Sequence, residues 1–257
     1  MIVASLVVAA ALYGYALRRA SRRGLAPGPA AIAAFGLGLV VAGCVLLGPV
    51  DDLSDASLSW HMVQHLGLAF VVAPLLLLGA PIRLALAALP AAGAARLAAV
   101  LRSAAVQALT NPAFALLQFT AVFYAAHFSP LYEAALEHPP IHALEHALFL
   151  GSAMIFWTPI LAVAPAPHAP QHAVRLLMLF LALPMSAFLG FILYVMRAPL
   201  YPHYAALPGA LADQQNAGAV MWIGGGGPIL VALLWCVADW GARERRLGII
   251  ADRLDAT

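Results

Sequence analysis

The chain has no lysine: all 13 of its basic residues are arginine, set against 11 acids in 257 residues. Charged residues make up only 9% of it, against about 25% in soluble domains, which leaves too few to solvate a globule of this size. Cysteine is nearly missing. Cys44 and Cys236 stand far apart in no paired motif, which excludes a disulfide-rich secreted scaffold and argues against a thiolate metal site. The formal charge of +2 offers no basic face on which a nucleic acid could lie.

What replaces charge is apolar surface. Hydrophobic residues make up 64% of the chain and the mean hydropathy is +0.92. At about 20 residues per span, this length has room for roughly six to eight membrane helices with short connections. The expected fold is all-α, a polytopic membrane helical bundle forming a single integral-membrane domain over residues 1–257.

The apolar runs give seven spans, at approximately 1–17, 30–50, 58–79, 112–128, 139–163, 172–196 and 216–240. Residues 80–111 carry Arg83, Arg96 and Arg102 among alanines and are interrupted by Pro90, so they are expected to form one or two short interfacial helices on the cytoplasmic side. The first run is followed, not preceded, by Arg18, Arg19, Arg22 and Arg23, which is the reverse of a cleavable signal peptide. With the N-terminus outside and the C-terminus cytoplasmic, twelve of the thirteen arginines fall inside and only Arg197 outside. Asp51, Asp52, Asp55, Glu133, Glu137 and Asp213 then lie outside. The two cysteines fall near opposite membrane faces, beyond disulfide reach, and each is expected to be a small buried hydrophobe. Pro74, Pro159, Pro184 and Pro228 are expected to kink their spans, and Gly224–Gly227 to permit close helix packing.

The nine histidines are distributed unevenly over this layout. His61 and His65 open the third span, His127 closes the fourth, and His138, His142 and His146 open the fifth, all toward the outer side. His203 lies in an outer loop; only His168 and His172 lie inside. Residues four apart share a helix face, so His61/His65 and His142/His146 each present two imidazoles together. Two such helices facing each other supply four nitrogens, and His127 a fifth. Ionisable groups within spans are costly and mark functional paths. His138, His168, His172 and His203 are read instead as hydrogen-bonded structural residues.

Imidazole suits zinc, copper, iron and nickel alike, while Met62, Met196 and Met221 on the outer side add thioethers that favour cuprous copper. Asp213 is expected to be a ligand or to fix an imidazole tautomer. Two other chemistries fit parts of the pattern. His142-Ala143-Leu144-Glu145-His146 matches the inverted zinc-peptidase motif H-x-x-E-H, in which the glutamate activates a metal-bound water. Histidines on facing spans can also be axial ligands to haem.

Several longer stretches carry a family resemblance. They are Trp60-His61-Met62-Val63-Gln64-His65-Leu66 followed by Ala73-Pro74-Leu75 through Gly79-Ala80-Pro81; His142 to His146 leading to Phe156-Trp157-Thr158-Pro159; Leu200-Tyr201-Pro202-His203-Tyr204; and Asp213-Gln214-Gln215 with Gly218 and Met221-Trp222. In order and spacing they resemble the CtaG family of bacterial cytochrome c oxidase assembly factors over roughly residues 57–240. The resemblance implies a seven-span protein of the bacterial inner membrane that helps haem-copper oxidase mature through its copper centres. The motif positions are His61, His65, His142, His146 and Asp213 with Gln214. The expected cargo is copper, bound at a periplasm-facing site by His61, His65, His142 and His146 with His127 and Asp213 in support. The expected partners are a haem-copper oxidase subunit or a periplasmic copper donor, within the lipid bilayer. Because the expected role is ligand exchange, no enzymatic activity is expected; the alternative is a membrane-embedded hydrolase acting through Glu145.

Overall fold

The computed structural model describes residues 2–163 and 170–255, with side chains described through residue 250. Among these residues every regular element is helical. In chain order they are α1 (Ile2–Ser21), α2 (Pro29–Leu47), α3 (Pro49–Ser54), α4 (Leu58–Gly67), a π-helical turn (Leu68–Val72), α5 (Ala73–Leu78), α6 (Pro81–Ala88), α7 (Ala91–Leu101) and α8 (Ala104–Leu109). There follow α9 (Pro112–Phe128), α10 (Pro130–Glu137), α11 (Pro139–Leu161), α12 (His172–Val195), α13 (Pro202–Ala205) and α14 (Ala210–Asp255). Proline opens many of them, including α2, α6, α9, α10 and α11. Its fixed φ suits the first turn, and its missing N–H is one that would be unpaired there anyway.

Six stretches are long and apolar enough to cross a membrane: α1, α2–α3, α4–α6, α11, α12 and α14. A seventh exists if α9 and α10, bent by 67° at Ser129-Pro130, count as one. Three boundaries differ from the sequence reading. The second apolar stretch does not stop near residue 50 but continues into the helix α3, with Asp51 and Asp52 in its first turn where the helix dipole favours them. The 80–111 segment forms three helices rather than one or two, because Ser103 starts a new one by accepting from the Val106 N–H. The last helix runs 46 residues, since nothing in its arginine-rich tail stops it.

Pro74 accounts for the π turn. The Ala73 N–H reaches back five residues to Leu68 O, and Pro74 has no N–H to continue the pattern. The Ala69 carbonyl, left free by the missing proton, accepts instead from Trp157 Nε1 at 2.9 Å. This bond ties α11 to the span that begins with α4, and those are the two elements carrying the paired histidines. Below the histidines an aromatic core joins α9 and α11, with Phe119 stacked on Phe156 at 4.4 Å and Phe123 edge-on to Phe149 at 4.7 Å.

Helices α12 and α14 meet at Gly190 and Gly218. A Cβ on Gly190 would stand 2.5 Å from Gly218 O, and one on Gly218 would stand 2.6 Å from Tyr194 N. Only hydrogen fits on either side, the small-residue contact by which membrane helices approach closely. In the glycine run, Gly224 faces Leu66 and Gly225 faces Ser186 while Gly226 and Gly227 have open space, so two positions use the freedom and two do not. Cys236 is buried as expected, but Cys44 is exposed, because α2 buries its Ala42, Val45 and Leu46 face instead. His168 and most of the proline-rich turn lie outside the described residues.

Candidate metal centre

Helix α4 is set in place by a carboxylate from the far end of the chain. Asp213, in the first turn of α14, accepts from the Leu58 N–H at 2.6 Å, from Ser59 Oγ at 2.6 Å and from Ser57 Oγ at 3.0 Å. An anion at a helix N-terminus satisfies unpaired N–H groups and opposes the dipole. Gln64 fixes the other side of α4 by donating to Val45 O and Asp51 Oδ1. His61 and His65, one turn apart, are thereby directed at α11, and both are buried.

Helix α11 contributes His142, Glu145 and His146 at i, i+3 and i+4, all on one face. The structure brings His61, His65, His142 and Glu145 together, each offering one ligand atom and all of these lying within 4.8 Å of one another. His61 Nε2 is 3.0 Å from His65 Nε2. Glu145 Oε2 lies 3.8 Å from the former and 3.6 Å from the latter.

The tautomer of His61 follows from its neighbours. Tyr204 donates its hydroxyl proton to Ser54 O at 2.6 Å, so the same oxygen, 3.1 Å from His61 Nδ1, accepts from that nitrogen. The proton sits on Nδ1 and the Nε2 lone pair faces the cluster, the arrangement a metal-binding imidazole requires. Tyr204 lies outside the spans, and burial raises its phenol above the ordinary value, so it stays a neutral relay. Tyr132 lies over His61 with ring centres 5.0 Å apart and stacks on Tyr201 at 4.2 Å.

Unpartnered polar atoms gather here. Among the described residues, ten buried side-chain nitrogen and oxygen atoms lack a hydrogen bond, and six of them belong to His65, His142, Glu145 and His146. Leaving such groups unpaired costs about 1–3 kcal/mol each, more for a charge. A carboxylate flanked by imidazoles with free nitrogens is a donor set that a divalent or cuprous ion satisfies. The residues therefore fit a metal.

The other sequence candidates divide. His146 is adjacent, with ring centres 4.1 Å from His142 and 5.7 Å from His65, but it stands outside the four-residue set. It lines an apolar cavity of about 250 Å³ with Ile2, Leu6, Leu46 and Leu150. His127 stands behind His65: its Nδ1 donates to Phe123 O at 2.7 Å, and its Nε2 faces Met62 Sδ at 3.3 Å. Asp213 is not brought into the set, since both its oxygens are taken by the start of α4. Gln214 accepts from the Leu200 N–H at 2.6 Å and so holds the loop before α13. Met221 packs against Gly190, and Met196 against the hydrophobic core. His203 binds Glu133 and Asp55, His172 binds Asp239, and His138 precedes α11 on the surface.

Sequence reasoning weighed Glu145 only as the base of a hydrolase, although its place beside two histidines on one face was the available signal. Tyr204 falls within the Leu200–Tyr204 motif, whose sequence pattern assigns it no role. Tyr132 carries no sequence signal at all.

These features define an all-helical, multi-pass protein that gathers imidazoles and a carboxylate in its interior. The family model described as "Cytochrome c oxidase caa3 assembly factor (Caa3_CtaG)" matches residues 11–243, and the chain belongs to that family. An uncharacterized protein of Mycobacterium leprae (strain TN) is 28% identical over 229 residues, covering 82% of this chain and 35% of its own. Uncharacterized proteins of Mycobacterium bovis and Mycobacterium tuberculosis are each 28% identical over 217 residues, covering 79% of this chain and 33% of theirs. The chain thus spans about a third of the length of these relatives. No solved structure matches it.

Proposed function

We propose that the chain serves cytochrome c oxidase assembly by holding copper at its histidine end and passing it to a nascent oxidase subunit. The observation that carries the reading is the buried set of His61, His65, His142 and Glu145, with ligand atoms within 4.8 Å of one another and with unpartnered polar atoms on His65, His142 and Glu145. His146 and the His127–Met62 pair stand next to it as further donors, and the thioether favours copper in its cuprous state over zinc. The set of twelve inner arginines supports an orientation with this end toward the periplasm of a bacterial inner membrane. Copper is the cargo: it arrives from a periplasmic donor, exchanges ligands and leaves, with no covalent bond made in a substrate. Tyr132 and Tyr204 cover His61, so release requires α10 and α13 to part from α4.

Two rival chemistries fit less well. A hydrolase needs Glu145 free as a base beside a metal-bound water, whereas this carboxylate lies among the ligands at 3.6 Å from His65 Nε2. Haem needs a macrocycle beside its axial imidazole, and imidazole nitrogens 3.0 Å apart leave no gap for one.

The test is genetic. In a cell lacking this protein, haem-copper oxidase activity is expected to fall, and the wild-type chain is expected to restore it while a His61→Ala, His65→Ala variant of equal abundance does not. Full restoration by that variant overturns the reading.

A further inference from the structure

Some 20 residues along α11 from the histidines, roughly 30 Å at 1.5 Å per residue, a second group of charged side chains meets. The end of α11, the start of α12 and the late part of α14 enclose a cavity of about 310 Å³ lined by His172, Arg175, Asp239, Arg243 and Arg246. Arg175 is among its lining residues and is only 4% exposed. Its Nε donates to Ile160 O at 2.7 Å and its Nη1 to Asp239 Oδ2 at 3.3 Å. The Trp235 ring lies 5.1 Å from the guanidinium carbon and helps hold its plane. Its Nη2 is buried with no partner among the described residues.

A guanidinium presents its donors in a rigid fork, so one side of this fork is satisfied and the other awaits an acceptor. Asp239 does not fill that place: its Oδ2 bonds to Arg175 Nη1 and to His172 Nε2 at 2.9 Å, and Nη2 is left without a bond among the described residues. Arg243 and Arg246 follow Asp239 at four and seven residues, on the same face of α14, and are exposed. Three guanidiniums against one carboxylate leave the cavity lining with two positive charges in excess.

We propose that this cavity binds a phosphate group through the guanidiniums of its lining, Arg175, Arg243 and Arg246. Arginine forks match phosphate geometry, and the cavity lies at the lower end of the size range of ligand pockets. The chemistry is shared by the headgroup of an anionic phospholipid and by a soluble phosphate. Either source pins three helices at one junction, and the inference stands apart from the metal reading.

The experiment uses the full chain purified in detergent, with binding followed by native mass spectrometry and thermal melting. The probes are phosphatidylglycerol, phosphatidylcholine as the zwitterionic control, and inorganic phosphate. Wild type is expected to bind phosphatidylglycerol or inorganic phosphate in preference to the control. The Arg243→Ala, Arg246→Ala variant, altered only at exposed positions, is expected to bind at least about tenfold more weakly. Preference for the lipid assigns a membrane source, and preference for inorganic phosphate assigns a soluble one. Binding of neither probe beyond the control, or undiminished binding by the double variant, overturns the proposal.

Discussion

Replacing Tyr204 with Phe keeps the ring and removes one hydroxyl, which makes it a sharp probe of how the site is prepared. Two bonds are lost, to Ser54 O at 2.6 Å and from His61 Nδ1 at 3.1 Å. The carbonyl is left without this donor, at about 1–3 kcal/mol of stability. The imidazole loses the acceptor that keeps its proton on Nδ1, so the proton can move to Nε2 and occupy the lone pair aimed at the cluster. Loss of such an outer partner costs metal affinity about 10–100-fold, or about 1.4–2.7 kcal/mol. The assay is competition for copper against a chelator of known affinity, with melting curves of both proteins to separate folding from binding. Because burial raises the phenol, it stays protonated through neutral and mildly alkaline pH, and its support is lost only above its ordinary range. The affinity ratio of the two proteins is therefore expected to stay constant between roughly pH 7 and pH 9. Unchanged copper affinity in the variant would refute the tautomer argument.

Three further substitutions test separate parts of the account. Asp213→Asn removes the anion that caps α4 and is expected to cost about 1–3 kcal/mol of stability by melting; lower metal content with unchanged melting would instead make Asp213 a ligand. Gly218→Val places carbon against Gly190 O and Tyr194 N, backbone atoms that cannot rotate away, and is expected to cost about 1–3 kcal/mol or more and lower the yield of folded protein. An unchanged melting curve would contradict that close approach. Glu145→Gln keeps shape and removes charge, so it is expected to weaken copper binding; intact metal binding with abolished function is the pattern a hydrolase would give.

The spans were legible because hydropathy is a local property, and the pairing of His61 with His65 because a helix repeats every 3.6 residues. What periodicity cannot supply is the rotation of one helix against another. His142, Glu145 and His146 share a face, and nothing local decides that Glu145 joins the four-residue set while His146 lines the neighbouring cavity. That choice depends on how α11 meets α4, which is fixed in part by the bond from Trp157 to the carbonyl freed by Pro74. Asp213 was visible as a polar residue near the right end. Its role as a cap depends on α14 meeting the start of α4 across 155 residues of chain. The short helix α10 escaped notice because eight residues after a 67° bend carry too little apolar pattern to stand out.

His61, His65, His142 and Glu145 are proposed to hold copper. The most direct measurement is metal analysis of the purified protein beside a His61→Ala, His142→Ala variant of matched melting behaviour. Copper is expected in the wild type and its loss in the variant; equal copper in both would overturn the assignment.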